Sequence, residues 1–308
     1  MEQVKPERGS ILMVVLWLVA ILGLVASALA FHSRTELRLT AFQWDQERLT
    51  QTAKMKAAHA ATLVQNSTGP LTMGTLVGWN AVLFPTTDEK SPATQSVTDE
   101  TSRINLNTAA KETLDRLIGY RDVTAAILDW RDVDSDLSSG GAENEFYLSL
   151  SNPYSCRNGP FKSVAELLLI KGMTPELYQE IKNNVTVEGP GTVNINTASM
   201  EVLSALGASS ALVGKILTSR KGPDGVEGTA DDVVFSNLKG IPEQLAKRWP
   251  LTVSDRFSWQ GIEDKLTVNG TALRLQFVAR LEDSASTRRI QIVINPGEAV
   301  PVREWVEQ

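Results

Sequence analysis

The sequence predicts an α+β protein: one very long N-terminal helix, then a duplicated all-helical domain, then a C-terminal antiparallel sheet. Three observations carry this. Ile11 to Phe31 is an uncharged apolar run of 21 residues, and the charges nearest to it are Arg8 and Arg34. The pattern Asn-x-Asn-Thr-Ala occurs at 105–109 and again at 194–198. Finally, "TALRLQFVARL" (271–281) and "RRIQIVIN" (288–295) alternate apolar and polar residues, as strands with one polar face do.

At ~1.5 Å per residue the apolar run is ~32 Å long, enough to cross a bilayer core of about 30 Å. A cleavable secretory signal has an apolar region of roughly 7–15 residues, so this run is too long to be one. Lys5 and Arg8 keep the short N-terminus cytoplasmic, and the rest of the chain is then exported. Ser33 to Asn66 contains no Pro or Gly. Its Leu37, Ala41, Trp44, Met55, Ala58 and Leu63 are spaced as one stripe of a helix that continues out of the membrane. Ser10 to Asn66 reads as a single helix of ~85 Å.

The formal net charge is -6, and removing residues 1–9 leaves it unchanged. The single cysteine, Cys156, rules out an intramolecular disulfide and reads as a small buried residue. His32 and His59 both fall on the predicted helix, which removes a Ser-His-Asp arrangement and a His-based zinc site. No phosphate-binding loop or dinucleotide fingerprint is present. The chain therefore reads as a non-enzyme.

"INLNTAAKETLDRLIG" (104–119) and "VNINTASMEVLSALG" (193–207) start 89 residues apart. Thr108 and Thr197 are expected to cap a helix in each copy, and Gly119 and Gly207 to end it in a left-handed turn. Second helices are expected at 124–131 and 209–220, then Phe-Lys-Ser and Phe-Ser-Asn turns, then short strands in "NVTVEG" (184–189) and "PLTVSD" (250–255). The repeats thus cover about 104–187 and 193–254. Their starts look like helix-hairpin-helix (SAM-like) modules, some of which bind DNA in membrane-anchored uptake receptors, and this gives the rival function. Such binding needs a basic surface, whereas residues 104–254 carry 14 Lys plus Arg against 19 Asp plus Glu. The hairpins "IGYRDV" and "LGASSA" also lack a glycine-rich turn, so no nucleic acid is expected.

Two acidic clusters invite a hard cation. Asp132, Asp134, Asp136 and Glu143 have the spacing of a calcium loop, but Leu137 stands where that loop needs glycine, so it is not an EF-hand. Asp224, Glu227, Asp231 and Asp232 lie in the glycine-rich "GPDGVEGTADD" (222–232), which is the preferred calcium candidate of the two.

The charged leader ending in Gly9, the small Ser10, the apolar stretch and its amphipathic continuation resemble type IV pilin-like precursors. The resemblance implies that a prepilin peptidase cuts between Gly9 and Ser10, that Ser10 becomes the methylated N-terminus, and that the helix stays as a filament shaft. The fifth mature position, usually Glu in that family, is Val14 here, as in a filament-tip member. With the two repeats, "ILDWRDVDSDLSSGGAENEFY" (127–147) and "PFKSVAELLLIKGM" (160–173), the chain resembles the type II secretion system minor pseudopilin K family over nearly its whole length. That resemblance implies a long helix packed on a pilin-type antiparallel sheet, with a helical domain inserted. The expected segments are a leader 1–9, helix 10–66, pilin-like parts 67–103 and 255–308, and the insert 104–254. It also implies minor pseudopilins I and J as partners, other pseudopilins along the helix, and bound calcium. The expected location is the inner membrane of a Gram-negative bacterium, with the bulk of the chain in the periplasm at the tip of a pseudopilus.

Overall fold

The computed structural model describes residues 8–67, 69–84, 96–280, 287–294 and 302–307. The leader up to residue 7, and the turn expected at Asp283, Ser284 and Ser286, lie outside them. By its internal contacts the chain divides into Met1–Lys54 with Ala279–Arg288, and Met55–Val278 with Arg289–Gln308.

Helix α1 (Arg8–Gln65) is continuous over 58 residues, as its lack of proline allows. It holds an 18-residue window of mean hydropathy 2.7, none of it buried, and is long and apolar enough to cross a membrane. Threonines beyond the apolar part return their hydroxyls to the preceding turn: Thr35 to Phe31 O, Thr50 to Gln46 O, Thr52 to Arg48 O and Thr62 to Ala58 O. The buried stripe differs from the expected one. Leu37, Ala41, Trp44, Met55 and Ala58 are exposed, while Leu49, Ala53, Ala57, Ala60 and Ala61 are buried. Alanine spacing, rather than the large apolar residues, marks the face a neighbour can approach closely.

Helix α2 (Met73–Leu83) was not anticipated. Thr72 starts it by accepting from Thr75 N. Lys56 of α1 reaches its far end, donating to Leu83 O at 2.7 Å, with its ammonium 4.6 Å from the Phe84 ring centroid and 5.7 Å from that of Phe277. Burial lowers the Lys56 pKa. Through this lysine the end of the long helix is fixed to the sheet, whose first strand is β1 (Ser96–Asp99).

The first repeat comprises β2 (Ile104–Asn105), α3 (Lys111–Ile118), α4 (Arg121–Arg131), α5 (Asn144–Leu148), α6 (Pro175–Ile181) and β3 (Val185–Thr186). The second comprises β4 (Val193–Asn194), α7 (Met200–Leu206), α8 (Ser210–Arg220), α9 (Ile241–Ala246), α10 (Val253–Gln260) and β5 (Leu266–Thr267). Each closes with a two-residue parallel ladder, β2 on β3 and β4 on β5. The expected strand at 250–255 is instead the start of α10, where Thr252 and Asp255 form a reciprocal capping box. The strand equivalent to "NVTVEG" is "KLTVNG" (265–270), so the second repeat runs past the expected boundary at 254.

The Asn-x-Asn-Thr signature is a backbone tie rather than a helix cap. Asn105 Oδ1 accepts from Asn107 N, and Asn194 Oδ1 from Asn196 N. Asn107 grips Phe161 through both its N–H and its C=O, and Asn196 does the same to Phe235. Arg131 donates to Leu106 O and Ala109 O, and Arg220 to the equivalent Ile195 O and Ala198 O. The caps expected from Thr108 and Thr197 are absent: Ala110 precedes α3 without a side-chain bond, Ser199 caps α7, and Thr197 donates to Asp99 instead. Gly119 (φ 77°) and Gly207 (φ 111°) do end α3 and α7 in the left-handed region. Asn196 is only 3% exposed. Asn196→Ala leaves the Phe235 amide buried without an acceptor, and is expected to cost about 1–3 kcal/mol in urea unfolding.

Strands β6 (Leu273–Arg280), β7 (Thr287–Ile294) and β8 (Val302–Glu307) complete a four-stranded sheet of order β1-β6-β7-β8. β1 pairs antiparallel with β6, Ser96 opposite Gln276 and Asp99 opposite Leu273. β7 pairs antiparallel with β8. Leu273, Leu275 and Phe277 are buried and Gln276 is exposed, the expected alternation.

Candidate metal centre

Helix α4 ends on two carboxylates one turn apart. Asp129 is fully buried and Asp132 is the C-cap residue. The helix dipole disfavours both there, and side chains three apart share a face. The chain then loops back to Glu143, 7% exposed and the N-cap residue of α5. One oxygen from each of Asp129, Asp132 and Glu143 lies within 4.8 Å of the others. Two oxygens ligating one calcium ion at about 2.4 Å are at most ~4.8 Å apart.

Asp129 Oδ2 accepts from Ser138 N, but Asp129 Oδ1, Asp132 Oδ1 and both Glu143 oxygens are buried without a partner. Burial first, and then the neighbouring carboxylates, raise the pKa values of Asp132 and Glu143. A Cβ on Gly141 would sit 2.0 Å from Asp129 Oδ2, so only glycine lets the loop close over that carboxylate. Buried, mutually repelling carboxylate oxygens fit a hard divalent cation.

Of the residues expected in the first cluster, the structure brings together Asp132 and Glu143 but not Asp134 and Asp136. Those two are exposed, and Asp134 Oδ1 accepts from Asp136 N. Asp129 was missed, although its i,i+3 spacing to Asp132 at a helix end was readable. The preferred cluster is arranged differently. Asp224 accepts from Val226 N, Asp231 from Asp224 N and the Thr229 hydroxyl, and Asp232 from Gly228 N. Glu227 pairs with buried Arg220 at 2.9 Å. Thr229 and the Asp224 amide lower the Asp231 pKa. The three aspartates of that loop accept from its own amides and the Thr229 hydroxyl. Gly9 and Ser10 lie in the first turn of α1.

The second hairpin also bears on the rival function. Its amides are engaged internally: Gly207 N to Ser204 O, Ala208 N to Leu203 O, and Ser209 N to Ser258 Oγ. These three amides of the second hairpin are therefore occupied.

The described residues thus combine a membrane-length apolar helix, an antiparallel sheet and a large helical domain between that sheet's first two strands. Residues 102–189 match the family model "Type II secretion system (T2SS), protein K". Type II secretion system protein K of Klebsiella pneumoniae is 35% identical over 79 residues, and that of Aeromonas hydrophila 27% over 239 residues. The alignments span 24% of the Klebsiella protein and 72% of the Aeromonas protein. The Pectobacterium carotovorum protein K, 34% identical, is likewise matched over 24% of its length. The fold matches a chain in the crystal structure of the GspK-GspI-GspJ complex from enterotoxigenic Escherichia coli, with TM-score 0.61 and 16% identity, covering 87% of this chain and 96% of that one. The family match and these relatives bear out the resemblance read from the residues, and the solved chain shares the fold.

Proposed function

We propose that this chain is a non-enzymatic minor pseudopilin of a type II secretion system that caps the tip of the periplasmic pseudopilus and helps to initiate its assembly. The observations that carry the reading are the match of residues 102–189 to the protein K family model and, among the described residues, one membrane-length apolar helix. Prepilin peptidase cleaves between Gly9 and Ser10, and the apolar helix packs among those of other pseudopilins. With Val14 at the fifth mature position, no carboxylate is available to neutralise the terminal amine of a subunit above, which suits the last subunit of a filament. The bulk of the duplicated domain blocks further stacking. Partnership with minor pseudopilins I and J follows the complex in which the matching fold was solved. Asp129, Asp132 and Glu143 hold a calcium ion, which neutralises their charge and ties the end of α4 to the start of α5.

The test is to mix residues 33–308 with the soluble regions of the two partner pseudopilins and measure complex mass by light scattering, with calcium and with chelator. A stoichiometric ternary complex is expected, weakened on chelation. A chain that stays monomeric beside folded partners overturns the tip-cap reading. Salt-sensitive binding of duplex DNA in fluorescence anisotropy supports the uptake receptor instead.

A further inference from the structure

The turn that delivers Glu143 to the cation centre is held from its outer side by one distant residue. Lys171 Nζ donates to Gly141 O at 2.8 Å and Gly140 O at 3.3 Å, and stands 5.3 Å from the Phe146 ring centroid. On the inner side Gly141 lies against Asp129, and the turn is closed by Gly141 N to Ser138 O and Ser138 N to Asp129 Oδ2. Segment 138–143 is therefore fixed between a ligand carboxylate and an ammonium group that hydrogen-bonds carbonyls rather than the carboxylates themselves. Four carboxylate oxygens of Asp129, Asp132 and Glu143 lack a hydrogen-bond partner, so their positions depend on the backbone that carries them.

Building on the calcium reading above, we propose that Lys171 is a positioning residue of the cation centre: it clamps the Gly140–Gly141 turn so that Glu143 faces Asp129 and Asp132. Outer-shell partners of this kind typically change metal affinity by about 10–100-fold when removed.

The test uses the full-length chain in detergent, titrated calorimetrically with calcium, and follows the site that Asp129→Asn abolishes. Lys171→Met, which keeps the apolar stem, is expected to raise the dissociation constant about 10–100-fold. Lys171→Arg, which keeps the donors, is expected to restore most of the loss. A merely structural role lowers the number of sites per chain and leaves the dissociation constant of the folded fraction unchanged. That result, or a Met variant as tight as wild type, or an Arg variant as weak as the Met variant, overturns the positioning role and leaves the calcium reading standing. A wild-type chain that takes up no calcium overturns both.

Discussion

Glu100→Ala is expected to lower the free energy of unfolding by about 3–5 kcal/mol, the size seen when one partner of a buried ion pair is removed. Glu100 has no exposed surface, and its carboxylate faces two guanidinium groups, Arg103 at 2.8 Å and Arg274 at 2.6 Å. It also accepts from the Thr186 hydroxyl. The neighbouring Asp99, 2% exposed, accepts from Thr101 N, Asn194 Nδ2 and Thr197 Oγ1. These adjacent acids thus join the sheet, through Arg274 on β6, to the first repeat through Thr186 and to the second through Asn194. Removing Glu100 strands two arginines in a dry site, whereas losing an exposed pair such as Lys111–Asp115 costs at most about 1 kcal/mol. Urea unfolding followed by circular dichroism measures both, and equal effects would refute the hub.

On the proposed calcium reading, removing the ion is expected to have the next largest effect. At a free concentration 100-fold above its dissociation constant a ligand stabilises by about 2.7 kcal/mol, which for a unit of this size shifts Tm by roughly 5–10 °C. Chelation should lower Tm of the wild type by that amount and leave Asp129→Asn unmoved. No shift on chelation counts against the centre. Acid acts with opposite signs on the two forms. An acid whose folded pKa is raised destabilises the fold above that pKa, and the penalty vanishes as pH falls below its unfolded value, ~4 for a carboxylate. Asp132 and Glu143 are raised, so the cation-free protein gains stability on acidification through the window just above ordinary carboxylate values. The calcium-loaded protein loses its ion there and becomes less stable.

The long helix and the duplication were readable because each is written in local terms. An unbroken apolar run needs no tertiary information, and Asn-x-Asn-Thr recurs because one asparagine bonds its own turn while the other grips a passing backbone. What failed needed the third dimension. "LTV" occurs at both 251–253 and 266–268, and only pairing with β4 distinguishes the strand from the helix start. Thr197 was free to cap a helix until Asp99 claimed its hydroxyl. Of the cation centre the sequence supplied Asp132 and Glu143 but not Asp129, because alternating acids on a loop were more conspicuous than a buried one at a helix end.

Where the helical domain enters and leaves the sheet has a consequence for folding order. Ser96 of β1 meets Gln276 of β6, a pairing of residues 180 positions apart in the chain. Closing so long a loop from the unfolded state is entropically costly and slow. Asp99 is already bonded to Asn194, and β4 to β5, which ends only a few residues before β6. Once the helical domain has folded, its entry and exit are neighbours and the sheet need close only a short gap. The inserted domain thereby acts as the template on which the sheet completes itself.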